Sequence, residues 1–188
     1  MKINFYQKAM VARQINVLKD LANKKTVYIL GANYESYEYT DPARGFDCAS
    51  CAMYGIEKAV EHEVLCGNQN VIEDEAKKDM GIFKYVDEDK VIPGDLCIVN
   101  YPSGNKYDMK PYAYNGIWYP NPADHVLTVI DHGETVDTGY DDSDHSKVII
   151  KKGEYRSSMS FYRSLGATLK FVRPDYNIIR RLRKEGGL

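Results

Sequence analysis

Apolar residues between Phe5 and Asn23 fall at Ala9, Met10, Ile15, Val17, Leu18 and Leu21, a spacing that predicts an opening helix. A short apolar run, Thr26-Val-Tyr-Ile-Leu30, then passes through Gly31 into a polar stretch lasting to Arg44. After Gly45-Phe-Asp-Cys48 the helical period returns at Ala52, Ile56, Ala59 and Val60. Asp47 is a favoured N-cap type, so a second helix is expected to open at Cys48. The charged stretch from about residue 67 to 89 reads as a short acidic helix with a strand. Pro93-Gly-Asp introduces Leu96-Cys-Ile-Val99, a strand by its branched residues. Strands are also predicted at His125 to Ile130 and Glu134 to Thr138, around the turn Asp131-His-Gly133, with a short apolar run at Val148 to Ile150. Ala167 to Val172 predicts a closing strand.

A helix first, then strands with hairpin-like connections, predicts an α+β fold with N-terminal helices packed on a central antiparallel sheet. A length of 188 residues suits one domain, expected over 1–176, with a basic C-terminal tail over 177–188. Arg180, Arg181, Arg183 and Lys184 in that tail read as a solvated helix end.

The segment Asn100 to Pro122 is rich in Tyr, Pro, Gly and Asn and reads as a long loop, a kind of segment that tends to be functional. Composition matters here, because the chain has 16 tyrosines against 5 phenylalanines and 1 tryptophan. Tyrosine joins an apolar ring to a polar tip and so suits polar polymeric ligands. Tyr112, Tyr114 and Trp118 are therefore candidates for a substrate cleft; the alternative is a loop packing on itself through its aromatics. The net charge of -2 lacks the basic excess of a nucleic-acid binder. No apolar run is long enough for membrane insertion, and Met1 to Asp20 lacks a secretory signal's apolar stretch. A soluble chain made in the cytoplasm is expected.

Four cysteines are too few for a disulfide framework in a chain this long. One of them, Cys48, stands where a helix N-terminus would favour its thiolate. Unpaired N–H groups of the first turn would also suit an oxyanion. Cys66 and Cys97 read as ordinary structural cysteines. Cys48-Ala-Ser-Cys51 has the C-x-x-C spacing, but the polar loop before it does not fit a thioredoxin-like setting. No second close pair completes a zinc site, and neither a metal nor another cofactor is expected. No structural disulfide between Cys48 and Cys51 is expected either.

A nucleophilic cysteine needs a base, and the base needs an orienting partner. His62 falls on a helix surface, His132 in a tight turn and His145 in an acidic loop, whereas His125 heads a strongly patterned strand. A three-residue hairpin loop, with Gly133 left-handed, would pair Ile130 with Glu134 and Leu127 with Asp137. Asp137 then shares a face with His125, one diagonal step away, at ~7–8 Å between Cα atoms.

Together these residues resemble the NlpC-type peptidases, papain-like enzymes that cut the peptide stems of bacterial peptidoglycan. Tyr28-Ile-Leu-Gly31 is similar to that family's Tyr-x-x-Gly segment, and Gly45-Phe-Asp-Cys48 to its nucleophile motif. Pro93-Gly-Asp-Leu96 and His125-Val126 follow in the family's order, and the likeness spans roughly Tyr28 to Val172. Two positions depart from the pattern: Ala49-Ser50 stands for Ser-Gly, and Asp137 for a position that is often His. The resemblance implies a papain-like peptidase domain in which Cys48 attacks an amide, His125 moves the proton and Asp137 orients the imidazole. The Cys48 N–H would hold the oxyanion, beside the Asp47 cap, and Tyr28 would assist through its hydroxyl. It implies the peptidoglycan stem peptide as substrate, cut by an endopeptidase or amidase acting on the cell wall, with a phage lysin as one setting. Acyl transfer or deamidation on another amide keeps the same residues, and a non-catalytic phage assembly or binding module keeps only the fold.

Overall fold

The computed structural model describes residues 4–24, 26, 29, 46–65, 68–131, 134–139, 147–150 and 155–186, without the side chains of 134, 137–139, 147–150 and 155–158. Helix α1 (Phe5–Asn23) starts at Asn4, whose side chain accepts the Gln7 N–H at 2.8 Å. Its buried stripe recurs every three or four residues, at Gln7, Met10, Gln14, Leu18 and Leu21. Two glutamines in that stripe are there for their amides. Gln7 donates to the Pro174 carbonyl at 2.7 Å and accepts the Tyr176 N–H at 3.1 Å. Gln14 donates to the Gly94 carbonyl at 3.2 Å and accepts the Tyr176 hydroxyl proton at 2.9 Å.

Helix α2 (Cys48–Val60) packs on α1 and is buried at every residue but Lys58. The two helices meet at Gly55, where a Cβ would stand 2.8 Å from Leu18 Cγ. Helix α3 (Gln69–Lys77) and strand β1 (Phe83–Val86) follow. Then come β2 (Leu96–Asn100), a two-stranded ribbon of β3 (Tyr112–Tyr114) and β4 (Ile117–Tyr119), and β5 (His125–Asp131). The chain continues through β6 (Glu134–Gly139), β7 (Lys147–Ile150), α4 (Tyr155–Ser164), β8 (Thr168–Pro174) and α5 (Tyr176–Glu185).

Six strands form one sheet in the order β1-β8-β2-β5-β6-β7, antiparallel at every pairing. Alternation along the strands gives the sheet two apolar faces. Leu96, Ile98, Val126 and Val172 pack against α2, and Cys97, Val99, Leu127 and Phe171 pack with Tyr162 of α4. The architecture is the expected α+β arrangement, with a central antiparallel sheet under N-terminal helices. Helix α4, on the far face, has no counterpart in the sequence reading. The basic stretch after Tyr176 is helix α5, which buries Ile179 in the main core and turns Arg180, Arg181 and Lys184 outward.

Two expectations need correction. The segment from Asn100 to Pro122 is not simply a loop, because Asn115 (φ 48°) and Gly116 (φ 77°) form a two-residue turn between β3 and β4. The β5–β6 hairpin pairs Asp131 with Glu134, not Ile130 with Glu134. A register shift between Val129 and Asp131 absorbs the extra residue, and beyond it Val129 faces Thr135 and Thr128 faces Val136. His132 and Gly133 lie outside the described residues.

Tyr176→Phe removes the hydroxyl and strands the buried Gln14 acceptor. The expected loss is about 1–3 kcal/mol, read as a lower urea midpoint at unchanged slope.

Candidate active site

Cys48 is the first residue of α2, and the sequence makes that start well defined. The Asp47 carboxylate accepts the Ser50 N–H at 2.7 Å, and the Ser50 hydroxyl accepts the Asp47 N–H at 2.9 Å, a closed capping box. The Cys48 N–H has no acceptor among the described residues, so it remains a donor at the positive end of the helix. The thiol itself is 8 % exposed and unpaired. Cys51, one turn on, is likewise outside any disulfide and buried among Leu18, Phe46 and Tyr54.

Burial pushes the Asp47 carboxyl above the usual carboxylate range, while hydrogen bonds from Ser50 and Ala49 and the charge of His125 pull it back. His125 is the first residue of β5, opposite Val99, and its ring lies 6.0 Å from that of Tyr162. The next residue, Val126, packs in the core that contains Cys48. By alternation along β5, His125 lies on the sheet face shared with Leu127 and Tyr162, opposite the face on which Val126 packs with α2. The β5–β6 register runs as far as Thr128 against Val136, one residue short of Asp137. Its side chain, like the whole of Tyr28 and Cys66, lies outside what is described.

The tyrosine ribbon closes another side. Its residues Tyr112 and Tyr119 face each other with ring centroids 5.9 Å apart, and both reach α3. Asn70 Nδ2 donates to the Tyr112 hydroxyl oxygen at 2.5 Å, and the Tyr119 hydroxyl donates to Asp74 at 2.7 Å. Tyr114 pairs with Ile117 on this same ribbon face. Trp118 pairs with Ala113 on the other and is 62 % exposed, so the ribbon separates it from Tyr112.

Residues that the sequence reading passed over hold this arrangement. Asn70 accepts the Ala123 N–H at 2.7 Å, and Gln69 donates to the Ala123 carbonyl at 2.6 Å, two residues ahead of His125. Asp124 accepts N–H groups from Tyr101 at 2.5 Å and Met109 at 2.6 Å, clamping the insertion where it leaves the sheet. Asn68-Gln-Asn70 just before an amphipathic run was a legible cap signal; Asp124 had none beyond its place before His125. Among the described residues no group of three or more His, Cys, Asp or Glu could hold a metal ion. No described helix is long and apolar enough to cross a membrane.

No family model matches the sequence, and no curated protein sequence matches it. Solved structures do match. NlpC1 from Trichomonas vaginalis superposes with a TM-score of 0.52 at 13% identity, covering 87% of this chain and 43% of that one. NlpC2 from the same organism gives 0.53 at 12% identity, covering 92% and 50%. The fold is NlpC-like. At these identities the likeness is one of fold, and this chain spans half or less of the length of either protein.

Because the folded Asp47 carboxyl titrates above its unfolded value, its contribution favours the fold at low pH and is lost as pH rises through the folded value. Asparagine caps as well as aspartate and buries no charge. Asp47→Asn is therefore expected to match or exceed wild-type stability at pH 7 and to lose that advantage at about pH 3, below the ordinary Asp value. Asp47→Ala should cost about 0.5–2 kcal/mol. Urea midpoints at the two pH values check both.

Proposed function

We propose that the protein is a thiol-dependent hydrolase that cuts an amide bond in the peptide of the bacterial cell wall. The observation that carries this reading is a cysteine outside any disulfide at the capped start of a buried helix in an NlpC-like fold. Each residue has a role that follows from chemistry. The Cys48 thiolate attacks the carbonyl carbon, and His125 takes the thiol proton and later hands it to the leaving amine. Asp137 orients the imidazole, and the Cys48 N–H receives the developing oxyanion. Water then completes the hydrolysis of the thioester. Peptidoglycan as substrate is supported by the motifs around Cys48, Pro93-Gly-Asp-Leu96 and His125-Val126, which resemble those of wall peptidases. The reading is the same whether a phage or a bacterium brings the enzyme to the wall.

The test is turbidity loss of purified peptidoglycan, with released fragments assayed for new amino groups. Wild type is expected to clear the wall, Cys48→Ala to be inert, and His125→Ala to be slowed by roughly 10²–10⁴-fold. Clearing by Cys48→Ala at the wild-type rate overturns the nucleophile. A wild type that clears no wall type, while Cys48 alkylates rapidly, redirects the chemistry to acyl transfer or deamidation of another amide.

A further inference from the structure

Helices α1 and α5 lie side by side and start at the same end of the molecule. Asn4 Nδ2 donates to Asn177 Oδ1 at 3.1 Å, and the Arg180 guanidinium lies over the Tyr6 ring, 4.9 Å from its centroid. Further along, Arg13 and Arg183 reach the Ala59 and Val60 carbonyls, the last two of α2. The two helices therefore run in the same direction, with their outward faces next to each other.

That joint face is basic and carries an exposed ring. Lys8, Arg180, Arg181 and Lys184 are all exposed. Among the described residues the side chains of Lys8, Arg181 and Lys184 have no ion pair or hydrogen bond, and Arg180 is held by the Tyr6 ring alone. Against these four cations stands Glu185, the one acid in α5, while α1 has none before Asp20. Phe5, one turn before Lys8, is 88 % exposed, more than any other large apolar side chain among the described residues. The chain as a whole carries a net charge of -2, so the positive charge is a local feature.

We propose that this face docks on a membrane surface rich in anionic lipid, with Phe5 entering the headgroup boundary and the four cations meeting lipid phosphates. Lysines and arginines near an anionic leaflet each add to the attraction, and an aromatic side chain among them suits a surface that is charged outside and apolar beneath. A dissolved polyanion would serve the cations equally, but it would leave the Phe5 ring in water. The Arg180 side chain, laid on Tyr6, is ordered before any lipid arrives. Arg183 ties α5 to the last residue of α2, a 13-residue helix that opens at Cys48, ~18 Å away along its axis. The docking face is thus separate from the candidate active site, and neither reading depends on the other.

The test is sedimentation of the purified protein with vesicles of equimolar phosphatidylglycerol and phosphatidylcholine, with vesicles of phosphatidylcholine alone, and with inorganic polyphosphate as competitor. Wild type is expected to bind the anionic vesicles, to ignore the neutral ones, and to weaken as salt shortens the Debye length from ~8 Å at ~0.15 M to ~3 Å at ~1 M. Arg181→Glu with Lys184→Glu should weaken binding by at least ~30-fold, since each cation near the surface contributes roughly fivefold. Phe5→Ser should weaken it by ~10-fold, from the apolar area withdrawn. Lys106→Glu with Lys110→Glu makes the same change in net charge on the insertion, which leaves the sheet beside Thr168, at the opposite end of β8 from α5. That pair should bind within about threefold of wild type. Urea midpoints near wild type in all variants show that the fold is intact. No binding of wild type to anionic vesicles, equal binding to neutral ones, or equal losses in the two double variants overturns the proposal. Phe5→Ser binding like wild type, with polyphosphate displacing the vesicles, assigns the face to a dissolved polyanion and overturns the lipid reading.

Discussion

A helix enclosed on nearly every side can offer chemistry only at its ends, and α2 is such a helix. Its walls are α1, where Gly55 lets Leu18 into contact, and the sheet, through β5 and β6. Its C-terminal end is closed by cations, as Arg13 donates to the Ala59 carbonyl at 3.2 Å and Arg183 to the Val60 carbonyl at 2.8 Å. Positive groups at that end are favoured by the helix dipole. Just below it the buried Glu57 carboxylate accepts the N–H groups of Val64 and Leu65 at 2.8 and 3.1 Å, fixing the exit. What remains is the N-terminus, with its cap, its free N–H and Cys48. The rest of the molecule holds that end over one face of the sheet.

The same constraint explains why some motifs were legible and others were not. Pro93-Gly-Asp95 recurs as a pattern because each residue has a steric or polar duty. Gly94 sits at φ +96°, and a Cβ there would meet Val11 of α1 at 2.9 Å. Asp95 accepts the Ile92 N–H at 2.9 Å and takes a two-pronged bond from Arg173 at 2.7 Å, joining β2's entry to β8. Buried ion pairs of this kind are better at fixing geometry than at adding stability. The capping residue Asp47 and the start of α2 were likewise readable, since a cap is a local chemical rule.

Long-range polar partners had no such local signature. Gln7 and Gln14 interrupt the apolar stripe of α1 and were invisible to a hydrophobic period, though their amides meet Tyr176 at the far end of the chain. The three-residue strands of the ribbon were too short to show alternation, and only Asn115-Gly116 announced the turn. In the β5–β6 hairpin, pairing away from the tip matched alternation, and the tip did not, because a bulge is decided by local twist. Helix α4 was missed although Tyr155, Met159 and Tyr162 recur at helical spacing in Tyr155–Ser164, because a stripe of three residues in ten is a short signal.

The insertion between β2 and β5 shows why its rings are tyrosines. A wall of phenylalanines could pack on α3, but it would set no distance or direction at its edge. Hydroxyls bonded to Asn70 and Asp74, and backbone N–H groups bonded to Asp124, replace loose apolar contact with directed bonds of 2.5 to 2.7 Å. Buried polar networks are favourable only when their members are satisfied, and these are satisfied by one another. Burial raises the Asp124 carboxyl, yet its two N–H donors offset part of that penalty, so the clamp is held by the groups it restrains. An edge held by such bonds fixes where its polar groups point, whereas Ile117 and Trp118 on the ribbon stay exposed.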